Sequence, residues 1–489
     1  MDMNLEYLRV KCPEHIENLV KMGAFNQARM AIQKHMTLKI PSILKQRLAH
    51  ELMTMALIEQ TFVHTKSDLF EALSPYIVGL DLAELDIFEA EGYLLWHMIE
   101  GEKKYHIRAA KTLLNQNPNI EERLNLQGYK PAQERLREQE ALGHAIGKMK
   151  STGEMAVEMT IRAGLALNSN GIKKQAIPEI EVATRFYLPF PRKAHFTRSV
   201  KMLNASNSNY QIASEEALQR VVYFEGRKGE DVFEIQYKFL THMAYRPIYE
   251  IAERLEQENT DEMTDAFWDA TQVNLYGTLE KEAQEVFLKE KSPHILFTPL
   301  LVDLAHEIVG QEKHPLIKAK RIYDYITQHI RYRFMVPYRM LLNIPEYGAL
   351  NMIGDCGVQS LLFITLLRIV GVPATFASGL AISPEGDCGM HDWSAFYIEP
   401  YGWCFADVSY GGHAYRKGLM AKCHFYFGNL DPYRMMSNFD FQEAFEFPKI
   451  YVRDDPYDNQ VGEAETNLEG LYADDYRAYT QLVAIREVE

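Results

Sequence analysis

Cys356 is the residue of this sequence whose local setting best suits nucleophilic chemistry. It lies between Asp355 and Gly357, and a strongly apolar run at helical spacing, residues 358–367, follows it. The pattern predicts a loop that delivers Cys356 to the first turn of a buried helix, which ends at Gly371. Unpaired N–H groups and the helix dipole favour a thiolate at such a position. The alternative interpretation of a lone cysteine is a small packing residue.

Two residues downstream could act as the base and the orienting group for that thiol. A cysteine nucleophile needs a base within hydrogen-bond reach, and the base needs an orienting group. His391 follows Cys356 by 35 residues at the head of one predicted strand, and Asp407 lies 16 residues further, in the next. Both side chains share a face only if the hairpin connection has an odd number of residues or a bulge. Taken alone, His391 could be a core histidine and Asp407 a turn-capping residue.

A zinc site is the competing interpretation of the same segment. Cys388-x-x-His391 and Cys404-x-x-Asp407 have the spacing of two zinc knuckles. Asp is an unusual ligand in a structural zinc site, however, and residues three apart in a strand point to opposite faces. We therefore expect no metal and no cofactor, and interpret Cys388, Cys404 and Cys423 as ordinary thiols.

Four regions are predicted along the chain. Residues 1–150 carry apolar residues at helical spacing and form an α-helical domain. Short alternating strands separated by Asn, Gly and Ser indicate a β-sandwich-like domain over 151–255. A catalytic core occupies 256–450. The acidic, Asp- and Tyr-rich segment 451–489 forms a C-terminal tail, with a short helix over 474–485.

Composition limits the classes of partner. The chain has 489 residues, 47% apolar and 24% charged, with a net charge of −15. That balance argues against nucleic-acid and anionic-membrane partners. No apolar run approaches the ~20 residues of a membrane helix, and no signal-peptide pattern begins the sequence. Five cysteines fit reduced thiols in a cytoplasm better than a disulfide framework. The oligomeric state is left open.

The motifs resemble those of the transglutaminase-like (transglutaminase-core) superfamily, in its bacterial cysteine-protease-like type. The segment from Gly354 to Ala374 looks like that family's nucleophile helix and its exit. His391 to Trp393 and Trp403 to Asp407 resemble its two strand motifs. The resemblance is strongest over residues 315–412.

This resemblance implies a fold class and a reaction. The fold is α+β, with a papain/transglutaminase-like core in which the helix carrying Cys356 packs on an antiparallel sheet. An α-helical domain and a β-sandwich-like domain precede that core. The catalytic residues are Cys356, His391 and Asp407, and the reaction is hydrolysis of peptide or amide bonds through a thioester. The partner is therefore a peptide or protein substrate.

Acyl transfer also requires donors to the oxyanion. The backbone N–H of Cys356 would supply one donor from the helix start. Asn351, Tyr347 and Gln359 are candidates for the second, by proximity in sequence alone.

Two other functions stay open at this stage. The chain could be a non-enzymatic protein-binding scaffold with an inactive transglutaminase-like core, or a transglutaminase in which an amine resolves the thioester. A thiol pKa well below the ~8.5 of free cysteine would favour an enzyme. Deglycosylation also occurs in the superfamily, but the motifs that would favour it are not seen.

Overall fold

The structure, a computed structural model, describes residues 5–125, 130–168, 183–226, 230–258, 276–472 and 475–488. Its α-helices are α1 Glu14–Lys21, α2 Phe25–Met36, α3 Ser42–Thr61, α4 Lys66–Leu73, α5 Glu84–Ala90, α6 Ala109–Gln116, α7 Lys130–Thr152, α8 Ile248–Glu258, α9 Lys281–Gln284, α10 Pro299–Val309, α11 Pro315–His329, α12 Ile344–Asn351, α13 Cys356–Ile369, α14 Val408–Arg416 and α15 Met420–Phe425. Its strands are β1 Phe62–His64, β2 Trp96–Ile99, β3 Glu102–His106, β4 Glu154–Leu167, β5 Thr184–Pro189, β6 Thr197–Ala205, β7 Gln211–Ile212, β8 Val221–Gly226, β9 Val232–Ala244, β10 Arg331–Tyr332, β11 Ile353–Gly354, β12 Ala374–Ile382, β13 Cys388–Ile398, β14 Gly402–Ala406, β15 Phe427–Gly428, β16 Arg434–Phe439, β17 Glu463–Thr466 and β18 Tyr476–Val488.

The N-terminal region is mostly helical but contains a small sheet. Strands β1, β3 and β2 pair in that order, antiparallel. The apolar spacing of residues 85–99 predicts a single helix, and this prediction is wrong in its second half. Gly92 adopts a left-handed φ of 81°, which ends helical backbone after α5, and the following residues pair with β3 as strand β2.

Two four-stranded sheets form the predicted sandwich. Their strand orders are β17-β5-β8-β7 and β18-β4-β9-β6. Burial alternates along β9 residue by residue, as a strand with one face on a core requires. Phe224 of one sheet stacks on Phe233 of the other, with ring centroids 4.6 Å apart. The sequence also predicts a strand over residues 180–189 and a turn at 168–171, of which residues 180–182 and 169–171 lie outside the described residues.

The C-terminal segment belongs to this sandwich. Strand β17 pairs with β5, and β18 pairs with β4 along nearly its whole length. The helix predicted over residues 474–485 is wrong. Tyr476 of β18 is buried, Ala478, Leu482 and Ile485 pack against the core, and pairing with a neighbour outweighs the weak helical propensity of a short segment.

The core places one helix against a five-stranded sheet of order β15-β14-β13-β12-β16. Helix α13 is buried on almost every side, which explains its nearly continuous apolar sequence. Phe363 of α13 packs edge-on against Phe396 of β13, at 6.0 Å between ring centroids. Gly371 ends the helix with a φ of 84°. This arrangement confirms the predicted α+β class, with the cysteine helix packed on an antiparallel sheet.

The hairpin of β13 and β14 sets the register of the site. Ile398 pairs with Gly402, so three residues connect the strands, and Ser394 pairs with Ala406. The connection is odd-numbered, as the sequence predicted. Asp407 directly follows β14 and becomes the N-cap of α14, so it lies at the end of the strand and not inside it.

Candidate active site

Cys356 begins α13, as predicted. Asp355 caps the helix and accepts a hydrogen bond from the backbone N–H of Val358 at 3.3 Å. Tyr338 Oη donates to the same carboxylate. Gly357 follows because a Cβ there would lie 2.1 Å from Tyr338 Oη and 2.7 Å from Asp392 Oδ2. Any side chain at that position would push the helix start away from its neighbours.

His391 and Asp407 form a buried pair. His391 Nε2 lies 2.7 Å from Asp407 Oδ2, and the other carboxylate oxygen of Asp407 accepts from the Tyr410 backbone N–H at 2.8 Å. Burial opposes ionisation of Asp407, but the charges of His391 and Arg434 and these hydrogen bonds lower its pKa to about 2. The pair leaves Nδ1 as the imidazole nitrogen that can take a proton from elsewhere.

Arg434, on β16, completes this pair and was missed by the sequence analysis. Its Nη1 lies 2.8 Å from Asp407 Oδ2, and its Nε and Nη2 lie 2.9 and 2.6 Å from Asp431 Oδ2. The side chain is fully buried. The spacing Asp431-x-x-Arg434 carries no chemical signature in sequence. Only the placement of β16 in the sheet reveals that its first residue reaches Asp407.

An aromatic ring holds the imidazole in place. Tyr410 of α14 lies against His391 at 4.6 Å between ring centroids, and the Arg434 guanidinium lies 4.5 Å from the centre of the same ring. The aromatic-rich sequence of residues 410–433 predicts either a wall or lid of the site or core packing. Tyr410 takes the first role, whereas Tyr426 behind it is fully buried.

The thiol of Cys356 contacts Asp392, the residue after His391. Cys356 Sγ lies 3.3 Å from Asp392 Oδ2. Gln460 Nε2 lies 2.6 Å from Asp392 Oδ1 and 3.0 Å from the His391 carbonyl oxygen. Within the described part of the chain, no hydrogen bond joins Cys356 to His391. The structure therefore brings His391 and Asp407 together, and places the thiol beside the next residue of the same strand.

Strand geometry explains this arrangement. Successive side chains of a strand point to opposite faces, so His391 and Asp392 cannot both face α13. Ser394, which shares a face with Asp392, lies with its Oγ 3.4 Å from the carbonyl oxygen of Ser360 in α13. The face of β13 that carries Asp392 is therefore the one that packs against the cysteine helix.

Several carboxyl groups surround Asp392. Burial, together with the charges of Asp458 and Asp355, raises its pKa well above the usual range for aspartate. Burial also raises the pKa of Asp458 to about 6 and that of Asp355 to about 6, against the hydrogen bonds each accepts. The Ser378 hydroxyl donates to Asp458. Asp392 therefore lies in a desolvated cluster of carboxyl groups.

The same surroundings act on the Cys356 thiol. Burial, followed by the charges of Asp392 and Asp355, raises the pKa of the Cys356 thiol well above its usual value. From the sequence alone, the helix start is expected to favour the thiolate. That field is present, but desolvation and two adjacent carboxyl groups outweigh it.

The three candidate oxyanion residues have other partners. Asn351 Nδ2 donates to the Tyr347 carbonyl at 2.8 Å, and Tyr347 Oη lies 3.5 Å from Arg333 Nη2. Gln359 Nε2 donates to the carbonyls of Gly354 and Ile330 at 3.0 and 3.4 Å. These contacts add no support for any of the three, and their role stays a prediction. The backbone N–H of Cys356 lies in the first helical turn, where no intrahelical acceptor exists.

The remaining cysteines lie apart from this chemistry. Cys12, Cys404 and Cys423 are buried free thiols, and Cys388 is partly buried. Cys404 Sγ lies 3.9 Å from its neighbouring Gly402 carbonyl. Among the described residues, no group of three or more His, Cys, Asp and Glu side chains is arranged to hold a metal ion.

A cavity of about 410 Å³ opens beside the site. Gly389 and Met390, which immediately precede His391 in β13, form part of its wall, and Arg108, Lys111 and Phe334 also line it. The Arg108 guanidinium and the Lys111 ammonium lie 5.2 and 5.3 Å from the centre of the Phe334 ring. No acidic side chain is among the described residues that line this cavity.

Comparison with known proteins identifies the core. Residues 302–408 match the model of the transglutaminase-like superfamily, so this part of the chain is a transglutaminase-like domain. Cys356, His391 and Asp407 all lie inside the matched segment. A search of curated proteins finds no match.

Similar solved structures have low identity. A candidate cysteine protease from Cytophaga hutchinsonii is 14% identical over 68% of this chain and 91% of its own, with a TM-score of 0.38. The periplasmic domain of TgpA from Pseudomonas aeruginosa is 10% identical over 56% of this chain and 94% of its own, with a TM-score of 0.29. In the part of the chain that is described, no helix has both the length and the apolar character needed to span a bilayer.

Proposed function

We propose that this protein is a cysteine-dependent hydrolase of peptide or amide bonds, with Cys356 as nucleophile, His391 as base and Asp407 as the group that orients His391. The buried His391–Asp407 pair, at 2.7 Å, is the observation that carries the proposal. A core histidine needs no ionised carboxylate behind it, whereas a catalytic base does. The pair lies on the strand that the Cys356 thiol contacts.

In this mechanism the thiol proton moves from Cys356 Sγ to His391 Nδ1, and Asp407 stabilises the resulting imidazolium. The sulfur attacks the amide carbonyl, and the Cys356 backbone N–H donates to the oxyanion. His391 returns the proton to the leaving amine as the C–N bond breaks, which leaves a thioester. Water then attacks the thioester while His391 accepts its proton, and the carboxylic acid product and the thiol are released.

The mechanism requires the thiol, which contacts Asp392, to come within reach of His391 as well. Because Asp392 and His391 point to opposite faces of β13, rotation of the Cys356 side chain must be accompanied by a shift of the helix start relative to the strand. Catalytic hydrogen bonds are often long or misaligned without substrate and tighten only in the complex.

The cavity beside β13 is the proposed position of the substrate chain. It lies next to the site along the strand, and its described wall carries two cationic side chains, Arg108 and Lys111, and no acidic one. The protein as a whole has a net charge of −15, so this wall departs from the average charge of the molecule. We therefore assign peptides with acidic residues as the preferred substrate class.

The proposal includes a setting in the bacterial cytoplasm. All five cysteines are free, which suits a reducing compartment.

A binding scaffold with an inert core is the second candidate function. The raised pKa of the Cys356 thiol and its contact with Asp392 in place of His391 favour it. An amine-accepting transglutaminase differs from the hydrolase only in the last step, where an amine replaces water at the thioester.

Two substrates test these functions. Release of p-nitrophenolate from p-nitrophenyl acetate reports acylation, and cleavage of fluorescein-labelled casein reports peptide hydrolysis. We expect Cys356→Ala to abolish both, and Cys404→Ala, which removes a buried thiol elsewhere in the core, to leave both in place. Equal turnover by wild type and Cys356→Ala would refute the enzyme. Incorporation of dansylcadaverine into casein, with no cleavage, would identify the transferase.

A further inference from the structure

Asp392 is held against the nucleophile by a specific set of contacts. Its Oδ2 lies 3.3 Å from Cys356 Sγ, and Gln460 fixes the other oxygen at 2.6 Å. Only 6% of Asp392 is exposed. Gly357 leaves the space that the carboxyl group occupies. A carboxyl group buried at a nucleophile, with its own positioning amide, is more than a packing residue requires.

The described groups around Asp392 provide no fixed positive charge to balance an ionised Asp392 carboxylate. The described residues provide it with no ion pair, and Gln460 is neutral. Its titratable and charged neighbours on the packed elements are Cys356, His391, Asp355, Asp455, Asp458, Tyr332 and Tyr338. None of these carries a fixed positive charge. A buried carboxyl group in such surroundings keeps its proton instead of ionising.

We propose that Asp392 is a catalytic residue that keeps a proton and donates it as a hydrogen bond, first to the Cys356 sulfur and then to the oxyanion of the acyl intermediate. Its hydroxyl would be the second donor that the Cys356 backbone N–H requires. This inference rests on the proposed function, because it concerns the same nucleophile. It also reduces the conflict between a thiolate mechanism and the adjacent carboxyl groups, since a protonated Asp392 brings no negative charge to the sulfur.

The proton of Asp392 is never transferred in this scheme. When the thiol proton moves to His391, the Asp392 O–H donates to the thiolate. When sulfur bonds to the carbonyl carbon, the π electron pair of the carbonyl moves to oxygen, and the Asp392 O–H and the Cys356 N–H donate to that oxygen. Collapse of the intermediate restores the carbonyl, breaks the C–N bond and returns the donor to its starting position. A protonated carboxylic acid can serve as an oxyanion donor where an apolar site keeps it neutral.

Two substitutions at one position separate a donor from an anion. Asp392→Asn keeps a hydrogen-bond donor of similar shape, whereas Asp392→Ala removes it. We expect the acylation rate with p-nitrophenyl acetate to fall about 100- to 1000-fold in Asp392→Ala, as for the loss of one oxyanion donor, and about tenfold or less in Asp392→Asn. Asp387→Asn, an exposed aspartate before the same strand, is the matched control. Thermal unfolding of each variant shows whether the fold is kept.

The pH profile of iodoacetamide alkylation gives an independent readout of the same proton. Cys356 labelling is followed by mass spectrometry against a Cys356→Ala background. A protonated Asp392 predicts a higher apparent thiol pKa in Asp392→Ala and little change in Asp392→Asn. If both variants lowered the thiol pKa, Asp392 would be an anion in the native protein and the inference would be overturned.

Other outcomes are equally decisive. Equal rate losses in Asp392→Asn and Asp392→Ala would make Asp392 a base and refute the donor role. An unaltered rate in Asp392→Ala, with activity still lost in Cys356→Ala and His391→Ala, would refute this inference and leave the proposed function intact. Activity that survives Cys356→Ala would instead refute the proposed function itself.

Discussion

Two buried aspartates flank the same stretch of β13 in opposite electrostatic environments. Asp407 faces His391 and Arg434, and its pKa is lowered to about 2. Asp392 faces a thiol, an amide and other carboxyl groups, and its pKa is raised. Burial alone would raise both, so the difference comes from the partners. When two groups of one chemical type have pKa values pushed apart at a site, one is suited to stay charged and the other to stay protonated.

The largest expected effect concerns Asp407, the aspartate that stays charged. Asp407→Asn keeps the shape of the side chain but removes the charge that orients and stabilises the protonated His391. We expect kcat for p-nitrophenyl acetate to fall about 10⁴-fold, by analogy with the loss of the orienting aspartate in a catalytic triad. Steady-state kinetics at several pH values measure this loss. A fall of less than tenfold would show that Asp407 is a structural cap of α14 only.

The next effect tests what holds Asp407 in its charged form. Arg434→Met leaves Asp407 and Asp431 buried without their shared cation, so we expect the free energy of unfolding to fall by about 3–5 kcal/mol. Urea unfolding followed by circular dichroism measures it. Arg477→Met, on the exposed face of β18, is the control and should change stability by less than about 0.5 kcal/mol. Equal effects in both variants would mean that Arg434 contributes nothing specific.

A third prediction sharpens the comparison through pH. The pKa values of three aspartates, Asp392, Asp355 and Asp458, are raised in the folded state. Above pH ~4 the folded state therefore holds more protons than the unfolded chain. The free energy of unfolding consequently falls as the pH rises from ~4 through about 6. Asp407 acts in the opposite sense, because its contribution is present above pH ~4 and is lost as pH falls towards 2.

Asp458→Asn isolates one member of the cluster. Because the substitution cannot ionise, we expect it to remove about 2 kcal/mol of the fall in stability between pH 4.5 and 7. Parallel urea unfolding of wild type and variant at both pH values measures the difference. An unaltered pH slope in Asp458→Asn would show that this carboxyl group ionises normally in the folded protein.

The smallest effect lies outside both aspartates, in the cavity. Arg108→Ala together with Lys111→Ala should lower kcat/KM for acidic fluorogenic peptides about three- to tenfold at low salt, and should leave neutral peptides almost unaltered. Exposed charges are screened by salt, so the difference should shrink at high ionic strength. Equal losses for acidic and neutral peptides would show that the two residues support the fold, and not the choice of substrate.

The sequence predicted most of the local setting of Cys356 because the signals were local. The loop before Cys356 and the apolar helix with its glycine exit are contiguous, and the structure places them as expected. The odd-numbered connection between β13 and β14 also followed from strand periodicity alone. The triad itself remains a proposal, because His391 and Asp407 meet but the thiol contacts Asp392.

What the sequence could not reveal depends on distant contacts. Arg434 reaches Asp407 only because β16 pairs with β12, and Gln460 reaches Asp392 from a loop near the C-terminus. The raised thiol pKa follows from burial, which no local pattern measures. Asp392 was within reach of sequence reasoning, since a strand that directs His391 to one face must direct the next residue to the other.

Strand β18 determines when, during synthesis, the cavity beside His391 can be completed. Tyr476 pairs with Leu167 and Val488 with Ala156, so this long pairing joins segments more than 300 residues apart. Synthesis proceeds from the N-terminus, and β4 must wait for this partner while all of the transglutaminase-like domain is made between them. The same strand lines the cavity beside His391. A nascent chain that already contains Cys356 therefore lacks one wall of this cavity until β18 pairs, so the cavity is completed only after the last strand has been synthesised.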